Sequence, residues 1–165
     1  MPKKPASVAA ATKNMPPGKS RLPELRLAVQ YPAGKSGAPT HSMVRRWIRA
    51  ACTLPAEITV RFVDAEEGQV LNQQWRNKAY ATNVLSFPYQ NDTRVHGDLV
   101  LCLPVVASEA AAQGKPLHAH FAHLIVHGML HLQGLDHETS AVDATQMEAR
   151  EREILSTLGY PDPYT

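Results

Sequence analysis

The 165-residue sequence lacks the features that mark membrane-spanning, secreted or disulfide-stabilised chains. It has no run of eighteen apolar residues, so no transmembrane helix is expected. Its basic N-terminus lacks the apolar stretch that a secretory signal requires. The two cysteines, Cys52 and Cys102, lie far apart and outside any CxxC pattern. The sequence therefore predicts a cytoplasmic protein whose cysteines are reduced residues of the core.

Acidic residues are absent from the first 23 positions, which are rich in proline, alanine and lysine. Such a segment buries too little apolar surface to offset the entropy cost of ordering it. We therefore expect residues 1–23 to form a flexible basic tail and residues 24–165 to form a single domain. The composition favours a solubilising tail, and a phosphate-binding arm is the alternative.

The pattern of residues 24–165 predicts an α+β domain with a mixed four-stranded sheet packed with about five helices, because strands and helices alternate without a regular βαβ rhythm. Within the helix expected to end at Arg76, the spacing places Val70, Leu71 and Trp75 on one apolar face. The expected strands cover 25–31, 58–63, 84–89 and 98–103, and the expected helices cover 40–51, 66–76, 104–113, 116–132 and 141–158.

Six of the eight histidines fall between positions 118 and 137, and the segment HGMLHLQGLDH (127–137) is the informative part. On a helix, His127 and His131 lie on one face, about 6 Å apart along the axis. Gly134 can adopt a positive φ that reverses the chain and returns His137 to the same ion. The spacing HxxxHxxGxxH is that of three-histidine zinc proteases, and three ligands leave the open position of a catalytic site.

Two other interpretations of the histidines remain open at this point. His123 and His127 also have i, i+4 spacing, but a site shifted to this pair lacks the glycine turn and the third ligand. Alternatively, the helix carries incidental histidines with no metal. His118 and His120, near the helix start, are expected at the surface.

One position departs from the zinc-protease pattern. Those enzymes place glutamate after the first histidine as general base, and here that position is Gly128. Asp136 and Glu138 flank the third histidine and are possible substitutes. Phosphodiesters fit a metal with a nearby cation better than peptides do. Arg76 is a candidate cation, although a solvated basic helix end explains it equally well.

Three separated segments resemble the YbeY family of bacterial rRNA-maturation endoribonucleases: LNQQWRNKAYATNVLSFP (71–88), GDLVLCL (97–103) and HGMLHLQGLDH. The resemblance extends from about Leu25 to Tyr164. It implies a compact fold related to zincins and metal-dependent cleavage of single-stranded RNA in the cytoplasm. The implied role is maturation of the small-subunit rRNA 3′ end and ribosome quality control.

By position, the resemblance implies that His127, His131 and His137 bind one zinc per chain and that Arg76 is the functional cation. It implies single-stranded RNA, rRNA and the small ribosomal subunit as partners, with no membrane and no DNA. Two rivals are a metalloprotease with a displaced base and a non-catalytic ribosome-assembly factor. The sequence leaves open the RNA preference, the oligomeric state, the general base, and whether water or the 2′-hydroxyl attacks.

Overall fold

A computed structural model describes residues 22–78, 81–135 and 141–165, and these ranges contain four strands and five helices. The predicted α+β class is confirmed. Most of the predicted basic tail lies outside the described residues, so the tail stays a prediction. In chain order the elements are β1 (Leu25–Gln30), α1 (His41–Ala51), β2 (Ala56–Val63), α2 (Ala65–Arg76), β3 (Val84–Tyr89), β4 (Val95–Cys102), α3 (Leu103–Gln113), α4 (Leu117–Leu132) and α5 (Ala141–Thr157).

The four strands form one mixed sheet in the order β1-β2-β4-β3. Strands β1, β2 and β4 are parallel, while β3 runs antiparallel to β4. Val84 at the start of β3 pairs with Leu101 near the end of β4. As a result, the first residues of edge strand β3 lie beside the carboxyl end of β4, where helix α3 begins.

The two faces of the sheet carry different parts of the core, because successive side chains of a strand point to opposite faces. Leu99 and Leu101 of β4 belong to the larger cluster, which the sheet shares with helices α1, α4 and α5. Val100 and Cys102 belong to a smaller cluster with Leu71 of α2 packed against it. Helix α4 is central, because it contacts α1, α3, α5 and the strands β3 and β4.

The apolar face expected for α2 is confirmed at Leu71, which packs against the smaller cluster, and is wrong at Val70 and Trp75. Val70 and Trp75 are exposed, whereas Gly68 and Asn72 are buried. The close approach of helix and sheet accounts for the difference, since a Cβ at Gly68 would lie 3.2 Å from the Cys102 Sγ. A small residue at position 68 determines which face of α2 can pack this closely against the sheet. The pattern of hydrophobic residues does not reveal this.

Short-range signals explain where several elements begin and end. The Thr40 hydroxyl accepts a hydrogen bond from the Met43 N–H at 3.2 Å, as an N-cap should. Helix α2 ends at Asn77, a residue type that tolerates its left-handed φ of 56°. Gly134 has a φ of 95° just beyond α4. Both cysteines are buried and free, as expected.

No helix in the described part of the chain is long and apolar enough to cross a membrane.

Candidate active site

A cleft of about 520 Å³ opens beside the amino-terminal half of edge strand β3. One wall comes from helix α4 and the other from β3, with the end of α2 and the chain terminus closing the sides. Its lining residues are Arg76, Thr82, Asn83, Val84, Leu85, Ser86, His123, Leu124, His127, His131 and Tyr164. The cleft therefore brings together three of the four residues predicted for the site: His127, His131 and Arg76.

Helix α4 places His127 and His131 on successive turns of one face, with ring centroids 4.8 Å apart. The third predicted ligand, His137, and the possible bases Asp136 and Glu138 lie outside the described residues. Within the described ranges, no group of three or more His, Cys, Asp or Glu side chains is placed to hold a metal ion. Two adjacent imidazoles on a cleft wall are the part of the predicted donor set that the structure describes.

A buried carboxylate supports the first of these histidines. Glu151 of α5 is fully buried, and its Oε1 lies 2.5 Å from the His127 Nδ1. Its Oε2 lies 2.9 Å from the His123 Nε2 and accepts a hydrogen bond from the Tyr164 hydroxyl. Three polar groups from α4 and the chain terminus thus converge on one carboxylate, which is how a buried charge is tolerated.

The ionisation of Glu151 determines which ring nitrogen of His127 carries a proton. Burial raises the pKa of Glu151, but hydrogen bonds from His123, His127 and Tyr164 outweigh burial and lower the pKa to about 2. An ionised carboxylate can only accept hydrogen bonds, so the His127 Nδ1 must carry a proton. In the neutral imidazole the lone pair is then on Nε2, and carboxylate-oriented histidines of this kind are typical metal ligands. The two described histidines therefore fit two positions of a metal site, with no third donor among the described residues.

His123 supports the site and is poorly placed to bind a metal. Its Nε2 contacts Glu151, and its Nδ1 is buried without a hydrogen-bond partner among the described residues. Neither nitrogen is presented to the cleft as a ligand would be. The geometry thus favours the His127 and His131 pair over the shifted pair of His123 and His127.

A second carboxylate supports the opposite wall of the cleft. The Glu109 Oε1 of α3 accepts a hydrogen bond from the Asn83 amide at 3.0 Å and lies 2.9 Å from the His120 Nε2. His120 is 4% exposed, so its predicted surface location is wrong. Its hydrogen-bond partner, Glu109, lies eleven residues earlier on another helix. The local sequence pattern does not indicate this pair. His118, by contrast, is exposed as expected.

Arg76 lies at the C-terminal end of α2 and extends to the cleft. The left-handed Asn77 ends the helix directly after it, and the Asn77 N–H is bonded to the carbonyls of Asn72 and Gln73. No ion pair between described residues involves this guanidinium. It is therefore a cation that an anionic ligand in the cleft can bind.

Comparison with known proteins shows the family of this chain. A family model described as Endoribonuclease YbeY matches residues 37–159. This chain belongs to the endoribonuclease YbeY family. A YbeY endoribonuclease of Nitrosomonas europaea is 50% identical over 159 residues, covering 93% of this chain and 96% of the relative. One from Aromatoleum aromaticum is 57% identical over 143 residues, covering 85% and 92%.

A solved structure shares the fold. The solution structure of a Thermotoga maritima protein is similar with a TM-score of 0.54 at 22% identity. The match covers 81% of this chain and 91% of that one. This structural match confirms the fold class, while the family model and the sequence relatives confirm the resemblance predicted from three sequence motifs.

Close packing of α4 against the sheet explains why a glycine follows His127 in this chain. A Cβ at Gly128 would lie 2.7 Å from the Leu99 Cδ2 and 3.3 Å from the Ser86 Oγ. Position 128 therefore faces the sheet, where α4 packs closely against β3 and β4. A glutamate side chain has no room there, so this position cannot supply the general base of a zinc protease.

Replacing Gly128 with Ala should destabilise the fold by about 1–3 kcal/mol, the usual cost of overpacking a core. The clash is with Leu99, which is fully buried. In a Leu99→Ala background, the Gly128→Ala change should therefore be neutral or stabilising, because alanine is the better helix former. Urea unfolding of the four proteins measures this coupling. Additive effects of the two substitutions would contradict the proposed contact.

Proposed function

We propose that this chain is a single-strand-specific, metal-dependent endoribonuclease that acts in rRNA processing, in small-subunit 3′ end maturation and in ribosome quality control. The observation that carries the proposal is the single cleft on which His127, His131 and Arg76 converge. The curated relatives of this family are endoribonucleases by name, which supports the same activity. The small ribosomal subunit is the proposed partner, and the cytoplasm the proposed compartment.

The proposed metal ligands are His127, His131 and His137, holding one zinc ion per chain. Support comes from the i, i+4 imidazoles on the cleft wall and from the carboxylate that fixes the His127 tautomer. When bound there, zinc supplies Lewis acidity toward a phosphoryl oxygen. Histidine nitrogens with an open fourth position are the usual donor set of a catalytic zinc site.

Arg76 is proposed to bind the scissile phosphate. Its guanidinium can donate two parallel hydrogen bonds to phosphate oxygens. Support comes from the lining of the cleft, which Arg76 of α2 shares with His127 and His131 of α4. A fixed positive charge at this position would stabilise the negative charge that develops on the phosphate during cleavage.

The two rival functions fit the site less well. A metalloprotease needs a general base near the first histidine, and Gly128 is packed against Leu99 with no room for one. A non-catalytic assembly factor has no need of an open cleft in which an arginine without an ion-pair partner among the described residues faces two histidines. Its metal would need a closed set of four ligands if it were structural.

Replacing His131 with Ala should remove most of the zinc, because two ligands hold the ion poorly. Metal affinity should fall by more than about 100-fold. Losing only the hydrogen-bond partner of a ligand already costs up to about 100-fold, and losing the ligand itself should cost more. His118→Ala is the matched control, since this histidine is exposed on the same helix. Elemental analysis and cleavage of a single-stranded RNA measure the two effects. Full zinc occupancy in His131→Ala would contradict the assignment.

Replacing Arg76 with Ala or with Lys should leave the zinc content unchanged and lower the single-turnover cleavage rate on the order of a hundredfold. Lysine should not rescue, because a single ammonium cannot reproduce bidentate binding. Arg26→Ala is the control, being an exposed arginine on β1 at the other edge of the sheet. Full activity of Arg76→Lys would reduce Arg76 to a general positive charge.

A further inference from the structure

Trp75 is a large apolar side chain that the fold leaves in solvent. It lies in the last turn of α2 and is 67% exposed, whereas the other tryptophan, Trp47, is 1% exposed in the core. An indole offers an extensive apolar face, and leaving it in water forgoes the free energy that burial would contribute. Within the described residues, the packing of α2 covers only a third of it.

The position of Trp75 ties it to the cleft. Arg76, the next residue, lines the cleft. The Trp75 ring contacts Phe87 of β3 edge to face, with centroids 5.7 Å apart and planes at 67°. Phe87 in turn follows Ser86, another lining residue. Because neighbouring residues of a strand point to opposite faces, Phe87 and the indole lie on the α2 side of β3, the edge strand beside which the cleft opens. The contact with Phe87 leaves Trp75 67% exposed.

The charges along α2 favour an anionic ligand at this end of the helix. Glu66 and Glu67 lie in its first turn, and Glu67 is paired with Arg61. Arg76 and the exposed Lys78 stand at the opposite end, on either side of Asn77. An exposed aromatic ring next to basic side chains is the combination that binds single-stranded nucleic acid, the ring stacking on a base and the cations binding the backbone.

We infer that Trp75 stacks on an unpaired nucleobase of the RNA whose phosphate Arg76 binds, and so forms a base-binding subsite at the cleft entrance. The inference rests on the proposed function. A base must leave a duplex to expose its face, so this subsite favours single strands over paired RNA. Because every base has a π-face, it contributes affinity with little sequence preference.

The test is single-turnover cleavage of a defined single-stranded RNA over a range of protein concentrations, with the full zinc-loaded chain. Trp75→Ala should raise the half-saturating concentration about 5- to 100-fold, the loss typical of one stacked base. Trp75→Phe should retain most of the affinity. Leu54→Ala is the matched control, since Leu54 is 55% exposed just before β2, at the other end of the sheet. Melting temperature should change little in all three, because the side chains are exposed.

A series of RNAs with one abasic nucleotide each separates stacking from a general surface effect. In the unsubstituted chain, one abasic position should weaken binding, and Trp75→Ala should lose that dependence. Stacking on a base should also quench the fluorescence of Trp75. The quenching can be assigned to Trp75, because the other tryptophan, Trp47, is buried in the core and shielded from contact with RNA. The quenching should disappear in Trp75→Phe.

Some results would overturn the inference and leave the proposed function standing. Two of them are equal half-saturating concentrations for Trp75→Ala and the unsubstituted chain, and an abasic dependence that survives the substitution. Self-association of the chain that Trp75→Ala abolishes would also overturn it, by assigning the indole to a second copy. If the unsubstituted chain does not cleave RNA, the proposed function fails and the inference fails with it.

Discussion

The buried carboxylate of Glu151 is the interaction on which the rest of the candidate site depends. It joins α5 to α4 through His127 and His123 and joins the chain terminus to both through Tyr164. An unpaired charge in this position would be strongly destabilising, so all three donors are held in place together. Their hydrogen bonds outweigh burial and hold the pKa of Glu151 at about 2, while burial and Glu151 raise the pKa of the Tyr164 hydroxyl. The result is a fixed tautomer of His127 at the cleft.

A second constraint is the close approach of α4 to the sheet. Gly128 lets the helix lie against Leu99 and Ser86, which brings the histidine face of α4 beside the first residues of β3. The same contact removes the space that a protease would need for its base. Fold packing and chemistry are therefore linked at one residue. The cleft runs along this edge strand with Arg76 in its lining, which is the arrangement that the proposed phosphate contact requires.

Much of the fold could be predicted from local patterns, because caps, glycines and periodicity act over a few residues. Thr40 and Gly134 mark helix ends correctly, and the i, i+4 spacing places His127 and His131 on one face of α4. The choice of buried face on α2 could not be predicted, because a 3.2 Å clearance at Gly68 decides it. That clearance depends on Cys102, far along the chain.

The partners of the candidate site were harder to find from sequence. Glu151 could have been found, since it interrupts the apolar stripe of Met147, Ile154 and Leu155 on α5, where a charge needs a partner. Glu109 gives no comparable signal in the sequence, because its hydrogen-bond partners, Asn83 and His120, come from separate parts of the chain. Long-range pairs of this kind depend on topology, which local periodicity does not specify.

The most direct test of the proposed site is a zinc titration of metal-stripped protein, in which the single-turnover rate of cleavage of one defined single-stranded RNA is measured at each step. If the histidines of the cleft hold the catalytic zinc, there is no cleavage in excess chelator, and the rate rises linearly to a plateau at one zinc per chain. Cleavage at full rate in the stripped protein, without response to added zinc, would contradict the metal-dependent mechanism at the cleft.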